Sequence, residues 1–146
     1  MATITQAKLP APHRRAQWYL TRSGESYVNR LYAKFNLEYF DGRLPIYQVK
    51  FTSVIRYGVG HQAAGLTHRR TRTIWIDAFE VDQLGLMETL IHEMIHVSGP
   101  RWHGDRFADE AVRLTAVGAP VMDGDTITRS ACRALGKFHR GERVEG

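Results

Sequence analysis

The feature that most constrains this chain is a pair of histidines one helical turn apart inside an apolar run. Residues 92–96 read His-Glu-Met-Ile-His, and the positions around the polar residues are filled by Leu90, Ile91, Met94 and Ile95. Residues four apart lie about 40° apart around a helix, so both imidazoles face one side. A helix that is apolar nearly all round is buried, and an unpartnered polar group there costs about 1–3 kcal/mol. The fold must therefore cover this helix and give its histidines a shared partner.

A metal ion satisfies both histidines at once. Two imidazoles one turn apart bind a single Zn²⁺ at ordinary Zn–N distances, and Glu93 lies on the same half of the helix. A carboxylate in that position can take a proton from an attacking water. The HExxH motif predicts a Zn²⁺ site with His92 and His96 as ligands and Glu93 as general base. The alternative is a chance match made by ordinary core or surface histidines.

A third protein ligand is required, because catalytic zinc has three protein ligands and one open position. His103 is the leading candidate, since it follows the break at Gly99-Pro100 and precedes a helical pattern. A carboxylate on that next helix, Glu110 or Asp109, is the alternative. The alternative without a metal is that His103 is a surface histidine at the start of a helix.

The hydrophobic periodicity predicts an α+β domain with an N-terminal helix, a small three-stranded sheet, the HExxH helix and a following helix. Helices are expected over residues 25–40, over 83–97 with Asp82 as its cap, over 105–117, and less regularly over 126–137. Alternation at period two predicts strands over 47–51, 63–68 and 73–77, the last two joined by a hairpin turn. Two Pro residues argue against a helix near the N-terminus. The expected organisation is a basic arm over residues 1–24, a domain over 25–118 and a basic extension over 119–146.

Composition restricts the class of protein and its compartment. The chain has 146 residues and a single cysteine, Cys132, which excludes an internal disulfide and a Cys-only zinc ribbon. It contains no apolar run of the roughly 18 residues that a membrane span needs, and the N-terminus does not resemble a secretory signal. We expect a cytoplasmic protein without a membrane partner.

The net charge of +5 favours acidic partners, nucleic acid among them. One basic cluster lies in the predicted hairpin turn, and a second is spaced for one face of a C-terminal helix; their members are Arg69, Arg70 and Arg72, and Arg129, Arg133, Lys137 and Arg140. Either cluster could contact phosphates or be a solvated surface. Near the second predicted strand, His61, His68 and Tyr57 could polarise a scissile carbonyl or be half-exposed sheet residues.

Four motifs, in order, resemble those of the SprT-like zinc metallopeptidases. Residues 31–45 are similar to that family's opening helix and its Asp-Gly-x-Leu-Pro signature. Ala64-Gly65 with residues 74–77 resembles its paired strands, and residues 89–96 resemble its HExxH helix. The sequence His-Gly-x-x-Phe at 103–107 resembles its downstream element. The resemblance covers about residues 25–118.

The resemblance implies a zincin-like, Spartan-type protease domain. His92, His96 and His103 would be the zinc ligands and Glu93 the general base. The substrates would be proteins, including proteins associated with or crosslinked to DNA, and single-stranded DNA becomes an expected partner. The chain lacks the cysteines of the zinc ribbon that ends many bacterial members. A DNA- or protein-binding adaptor with a structural or inactive zinc site is the rival interpretation.

Overall fold

A computed structural model describes residues 11–53, 55–57, 61–62 and 64–126. Besides a helical stretch at residues 123–126, the chain forms five helices within them: α1 (Ala11–Tyr19), α2 (Arg22–Phe40), α3 (Val81–Leu84), α4 (Leu86–Ser98) and α5 (Asp105–Ala116). The strands of the same residues are β1 (Gln48–Thr52), β2 (Arg56–Tyr57), β3 (His61–Gln62), β4 (Gly65–His68) and β5 (Thr73–Asp77). This arrangement confirms the mixed α+β class.

The expected arm over residues 1–24 is wrong for residues 11–24, which are largely helical and packed. Pro12 lies in the first turn of α1, where the missing N–H is not needed and proline is tolerated. Ala16 and Tyr19 of α1 are buried, and the Tyr19 ring stacks on Phe51 of β1 at 4.8 Å. These residues therefore belong to the domain, while residues 1–10 lie outside the described part.

Helix α2 is the predicted N-terminal helix and begins three residues earlier than expected. Thr21 caps it, because its side-chain oxygen accepts a hydrogen bond from the backbone N–H of Gly24 at 3.2 Å. The buried stripe contains Val28, Leu31, Tyr32 and Phe35, as the three-and-four spacing predicts. Asp41 ends the helix in the left-handed conformation with φ 53°.

The main sheet has the strand order β1-β5-β4. The β4–β5 hairpin is antiparallel, as predicted, whereas β1 runs parallel to β5. The central β5 matches its predicted range, and its Ile74 and Ile76 are fully buried. The short antiparallel pair β2–β3 was not predicted. In this order β4 pairs on one side only among the described residues, so its other edge faces away from the sheet.

The single helix predicted over residues 83–97 is two helices, α3 and α4. Gly85 separates them with φ 96°, a left-handed conformation that favours glycine. The expected cap is also wrong: Asp82 lies inside α3, with its carboxylate 3.5 Å from Arg15. Helix α4 ends at Gly99, where φ is 151°, and α5 agrees with its predicted range to one residue.

Helix α4 lies in the middle of the core. Its Leu90, Ile91, Met94 and Ile95 have no solvent exposure, because β4, β5 and α5 pack around it. Residues 123–126 are helical, whereas nearly all of the helix predicted over 126–137 lies outside the described part. Among the described helices, none combines the length and apolar character needed to cross a bilayer.

Candidate metal centre

Three histidines meet between α4 and the connection that follows it. His92 and His96 come from α4, and His103 comes from the connection between α4 and α5. Nε2 of His103 lies 2.9 Å from Nε2 of His92 and 3.0 Å from Nε2 of His96. The possible ligand atoms of the three residues all lie within 4.8 Å of one another. These three histidines are close enough to bind a metal ion.

Hydrogen bonds at the opposite ring nitrogens fix which nitrogens face the centre. Nδ1 of His96 lies 2.7 Å from the carbonyl oxygen of Pro100, which can only accept a hydrogen bond. Nδ1 of His92 lies 3.1 and 3.2 Å from the two carboxylate oxygens of Asp125. Nδ1 therefore carries the proton in each ring, and Nε2 of each neutral imidazole presents a lone pair.

This donor set fits a divalent cation. Lone pairs that converge at such short separations repel unless a proton or a cation lies among them. Three imidazole nitrogens with an open side form the ligand set of catalytic zinc, although imidazole also binds other first-row metals. The three nitrogen ligands therefore favour a divalent transition-metal ion. They do not determine which one.

Phe107 holds the three rings together from beneath. Its side chain is almost fully buried, and its ring centroid lies 4.8 Å from that of His92 and 4.9 Å from those of His96 and His103. The Phe of the His-Gly-x-x-Phe element therefore packs against all three imidazole rings. It is the third residue of α5, and its ring faces the histidines of α4.

Glu93 points from α4 towards β4. Its side chain is buried, and its Oε1 accepts a hydrogen bond from the Thr67 hydroxyl at 2.8 Å. A Cβ added at Gly65 would lie 2.8 Å from Oε2 of Glu93, so glycine leaves the space that this carboxylate occupies. Burial raises the pKa of the Glu93 carboxyl, against the lowering effects of His92 and the Thr67 hydrogen bond.

The pKa values of the histidines differ in direction. Burial, with smaller charge effects, lowers the pKa of His96 to about 4. Burial also acts to lower the pKa of His92, but the hydrogen bond to Asp125 and the nearby carboxylates raise it overall. The pKa of His103 is lowered, chiefly by burial and then by His92.

The carboxylates considered as third ligand lie elsewhere. Glu110 forms a two-point ion pair with Arg113, with distances of 2.7 and 2.9 Å. Glu110 and Asp109 both line a second cavity away from the three histidines. Among the described residues, the group of potential metal ligands contains only the three histidines.

Arg69 has a different place from the one expected for a nucleic-acid contact. Its guanidinium donates hydrogen bonds to the carbonyl oxygens of His96 and Gly99 at the end of α4, where carbonyl oxygens lose their regular helical partners. This side chain therefore caps α4 and is not a free surface cation. Arg70 and Arg72, by contrast, are exposed.

The remaining predicted residues divide into two groups. The side chains of His61 and Tyr57 and the whole C-terminal basic cluster lie outside the described part. His68 is exposed, with Nδ1 2.7 Å from the Thr71 hydroxyl, and it lies on the wall of the cleft described next. Contacts of the basic residues with nucleic acid stay a prediction.

An open cleft of about 750 Å³ lies in front of the three histidines. Strand β4 forms one wall, and Leu84, Trp102 and Met122 contribute apolar surface. Trp102, the residue before His103, is 80% exposed. Glu93 and the metal-facing nitrogens can therefore be reached from solvent through a groove with an apolar rim.

Sequence reasoning missed two residues that contact the centre. Thr67 could have been found, because period-two alternation places it on the same face of β4 as Gly65. Asp125 gave no signal, since it lies 33 residues beyond His92 in a segment without clear periodicity. Comparisons of the chain with protein-family models, with curated proteins and with solved structures find no match. What the chain does must therefore be inferred from its residues and their geometry.

Proposed function

We propose that this chain is a zinc-dependent endopeptidase with a zincin-like fold of the SprT-like kind. The observation that carries the proposal is the convergence of three Nε2 atoms on one point, beside a buried carboxylate that opens onto the same cleft. Three neutral nitrogens and an adjacent general base are the set that metal-assisted hydrolysis needs. The order of the four motifs supports the family assignment.

Each polar group has a distinct task in peptide hydrolysis. A bound Zn²⁺ supplies polarisation of the substrate carbonyl and lowers the pKa of water at the site. Water adds its oxygen to the carbonyl carbon while Glu93 accepts its proton. The C–N bond then breaks as Glu93 passes that proton to the leaving amine. In the metal-free site burial raises the pKa of the Glu93 carboxyl, which brings it nearer to the pH at which a general base works.

The groups around Glu93 keep its carboxylate in one orientation. The Thr67 hydroxyl holds Oε1 at 2.8 Å, and Gly65 leaves room for Oε2. A fixed base needs no reorganisation when the proton moves. Gly65 and Thr67 thus link the sheet edge to the chemistry on α4.

The shape of the cleft favours a protein chain as substrate. It is open at its front and bounded by β4, whose outer edge has no strand partner among the described residues. An extended peptide can lie along such an edge, with both ends free to leave the groove. This favours an endopeptidase over an enzyme that accepts only chain ends.

DNA-associated or DNA-crosslinked proteins are the proposed substrate class. The support is the resemblance together with the net charge of +5 and the exposed Arg70 and Arg72. With Arg69 engaged by α4, the proposed phosphate contact in the hairpin turn rests on those two residues. Binding through them would weaken as salt is raised.

The test is cleavage of an unstructured basic protein, with and without single-stranded DNA, by zinc-loaded protein. We expect Glu93→Gln to keep one zinc per chain and to lose cleavage. Glu88→Gln removes the same charge from the first turn of α4 and is the matched control that should still cut. Cleavage by Glu93→Gln would refute the mechanism. Zinc-loaded wild type that binds DNA and cuts nothing would favour the adaptor.

A further inference from the structure

The segment after α5 returns to the metal centre. Ala119 is buried, Met122 contributes to the wall of the cleft, and Asp125 contacts His92. The segment 119–126 is therefore packed against the site, although it lies beyond the four motifs. Its one charged contact with the three histidines in the described part is the carboxylate of Asp125.

The contact between Asp125 and His92 is shielded and uses both carboxylate oxygens. Only 12% of the Asp125 side chain and 18% of the His92 side chain are exposed. The two oxygens lie 3.1 and 3.2 Å from Nδ1. A charge-assisted hydrogen bond of this kind is about twice as strong as a neutral one, so it restrains both the ring and its tautomer.

We propose that Asp125 is the positioning residue of His92 and that docking of segment 119–126 is coupled to metal binding. The inference rests on the metal centre of the proposed function. Asp125 does not reach the converging Nε2 atoms itself; it acts through the imidazole by holding the proton on Nδ1. With that proton fixed, Nε2 stays available as a ligand.

The physical consequence is a change in metal affinity. Partners on the outer nitrogen of a ligating histidine orient the ring and raise its basicity, and their loss costs about 10–100-fold in affinity. Without Asp125, the proton of His92 can move to Nε2, and that tautomer has no lone pair on Nε2 for the metal. The neutral carbonyl that supports His96 is unaffected by such a change.

Coupling between the segment and the metal is reciprocal. If the segment strengthens metal binding by a given factor, the metal stabilises the docked segment by the same factor. Zinc should therefore slow amide hydrogen exchange in residues 119–126 of the full chain. In an Asp125 variant, zinc should protect this segment much less.

The first experiment measures Zn²⁺ affinity by competition with a chelator for full-length variants. Asp125→Ala should weaken zinc binding about 10–100-fold. Asp125→Asn should restore part of the loss, because its amide oxygen can still accept from Nδ1–H. Asp123→Ala removes the same charge from an exposed position two residues away and should bind zinc as the wild type does.

The second experiment distinguishes positioning from a merely structural role. In metal-free protein, at a pH where His92 is neutral, ¹⁵N NMR of the imidazoles should show His92 protonated on Nδ1 in the wild type and mixed tautomers in Asp125→Ala. His96 is the internal control, and its signals should not change. A general loss of structure would alter both histidines together.

The outcomes separate this inference from the proposed function. Wild-type affinity and an unchanged His92 tautomer in Asp125→Ala would overturn the inference and leave the peptidase proposal standing. Weakened zinc binding with the expected tautomer change would support the inference even if no peptide is cut. Wild-type protein that binds no zinc would overturn both.

Discussion

His92 and His96 occupy similar positions one turn apart on α4, yet the protein holds their rings in different ways. Nδ1 of His96 donates to the carbonyl of Pro100, four residues further on. Nδ1 of His92 faces the carboxylate of Asp125, 33 residues further on. One support is neutral and local, and the other is charged and depends on the tertiary fold.

The difference gives the two imidazoles, both proposed metal ligands, different proton affinities. Burial lowers the pKa of His96 to about 4, although the hydrogen bond to the Pro100 carbonyl acts to raise it. His92, beside a carboxylate, has a raised pKa. An imidazole with a carboxylate partner is the more basic ligand, whereas the other keeps its lone pair free over a wider pH range.

The Pro100 carbonyl that contacts His96 is itself held in place by another side chain. The chain turns at Gly99-Pro100 after α4, and Arg69 restrains this turn by donating to the carbonyl oxygens of His96 and Gly99. The hairpin between β4 and β5 thus contributes to the position of His96. Both histidines therefore depend on a charged side chain outside the HExxH motif: Asp125 contacts the ring of His92, and Arg69 contacts the backbone of His96.

The largest expected effect on metal binding comes from His103, which contacts both His92 and His96. Because its Nε2 lies within about 3 Å of both other nitrogens, His103→Ala should reduce bound zinc to well below one per chain after dialysis. Glu110→Ala, which breaks only the pair with Arg113, should leave zinc content near that of the wild type. Metal analysis of both variants provides the measurement. The reverse result would show that the third metal ligand is the carboxylate of Glu110 and not His103.

Arg69 provides the second test, since its neighbour Arg70 is a matched control in the same turn. Arg69→Ala removes hydrogen bonds from a charged donor to the end of α4, and should lower the free energy of unfolding by about 1.5–3 kcal/mol. Arg70→Ala, at an exposed site, should change it by less than about 0.5 kcal/mol. Urea denaturation measures both values. Equal effects would show that the cap on α4 contributes little.

The same pair of variants tests the proposed nucleic-acid contact. If phosphates bind at the hairpin turn, Arg70→Ala should reduce both DNA affinity and its dependence on salt. Arg69→Ala should have the smaller effect on the salt dependence, because its guanidinium is committed to carbonyl oxygens. Arg69→Ala would thus chiefly lower the free energy of unfolding, and Arg70→Ala would chiefly lower DNA affinity.

Features encoded by nearby residues could be predicted from the sequence. The spacing of His92, Glu93 and His96 defines one helix face, and alternation together with the polar turn defines the β4–β5 hairpin. The chain reversal at Gly99-Pro100 also made His103 the leading third ligand. In each case the relevant residues lie within a few positions of one another, so local periodicity and turn chemistry carry the information.

The errors came from position within an element and from tertiary contacts. Pro12 argued against a helix, yet proline is tolerated in the first turn where α1 places it. Gly85 was present in the sequence, but the apolar period continued across it and concealed the break between α3 and α4. Asp125 could not be predicted, because its partner is determined only when segment 119–126 returns to α4. A cationic Arg69 in a turn likewise gave no sign that its target was a helix end.

The smallest effect is a shift in titration, and it tests the comparison of the two histidines most directly. In metal-free protein, His92 should take up its proton above pH 6.5, while His96 should stay neutral until about pH 4. A protonated His92 can donate from Nδ1 to Asp125 and from Nε2 to His103, whose nitrogen lies 2.9 Å away. Since the pKa of His96 is lower folded than unfolded, His96 makes the folded state less stable as the pH falls from about 6.5 to 4. The pKa of His92 is higher in the folded than in the unfolded state, so His92 makes the folded state more stable as the pH falls.

Imidazole ¹⁵N shifts followed against pH would resolve the two residues. Asp125→Asn should lower the titration midpoint of His92 and leave that of His96 in place, because only the first ring touches the carboxylate. Zinc affinity should fall as the pH drops below the midpoint of His92, since the metal must displace that proton. If both rings titrate together near 6.5, the two supports are electrostatically equivalent. The contrast between a carbonyl and a carboxylate would then have no effect on the metal centre.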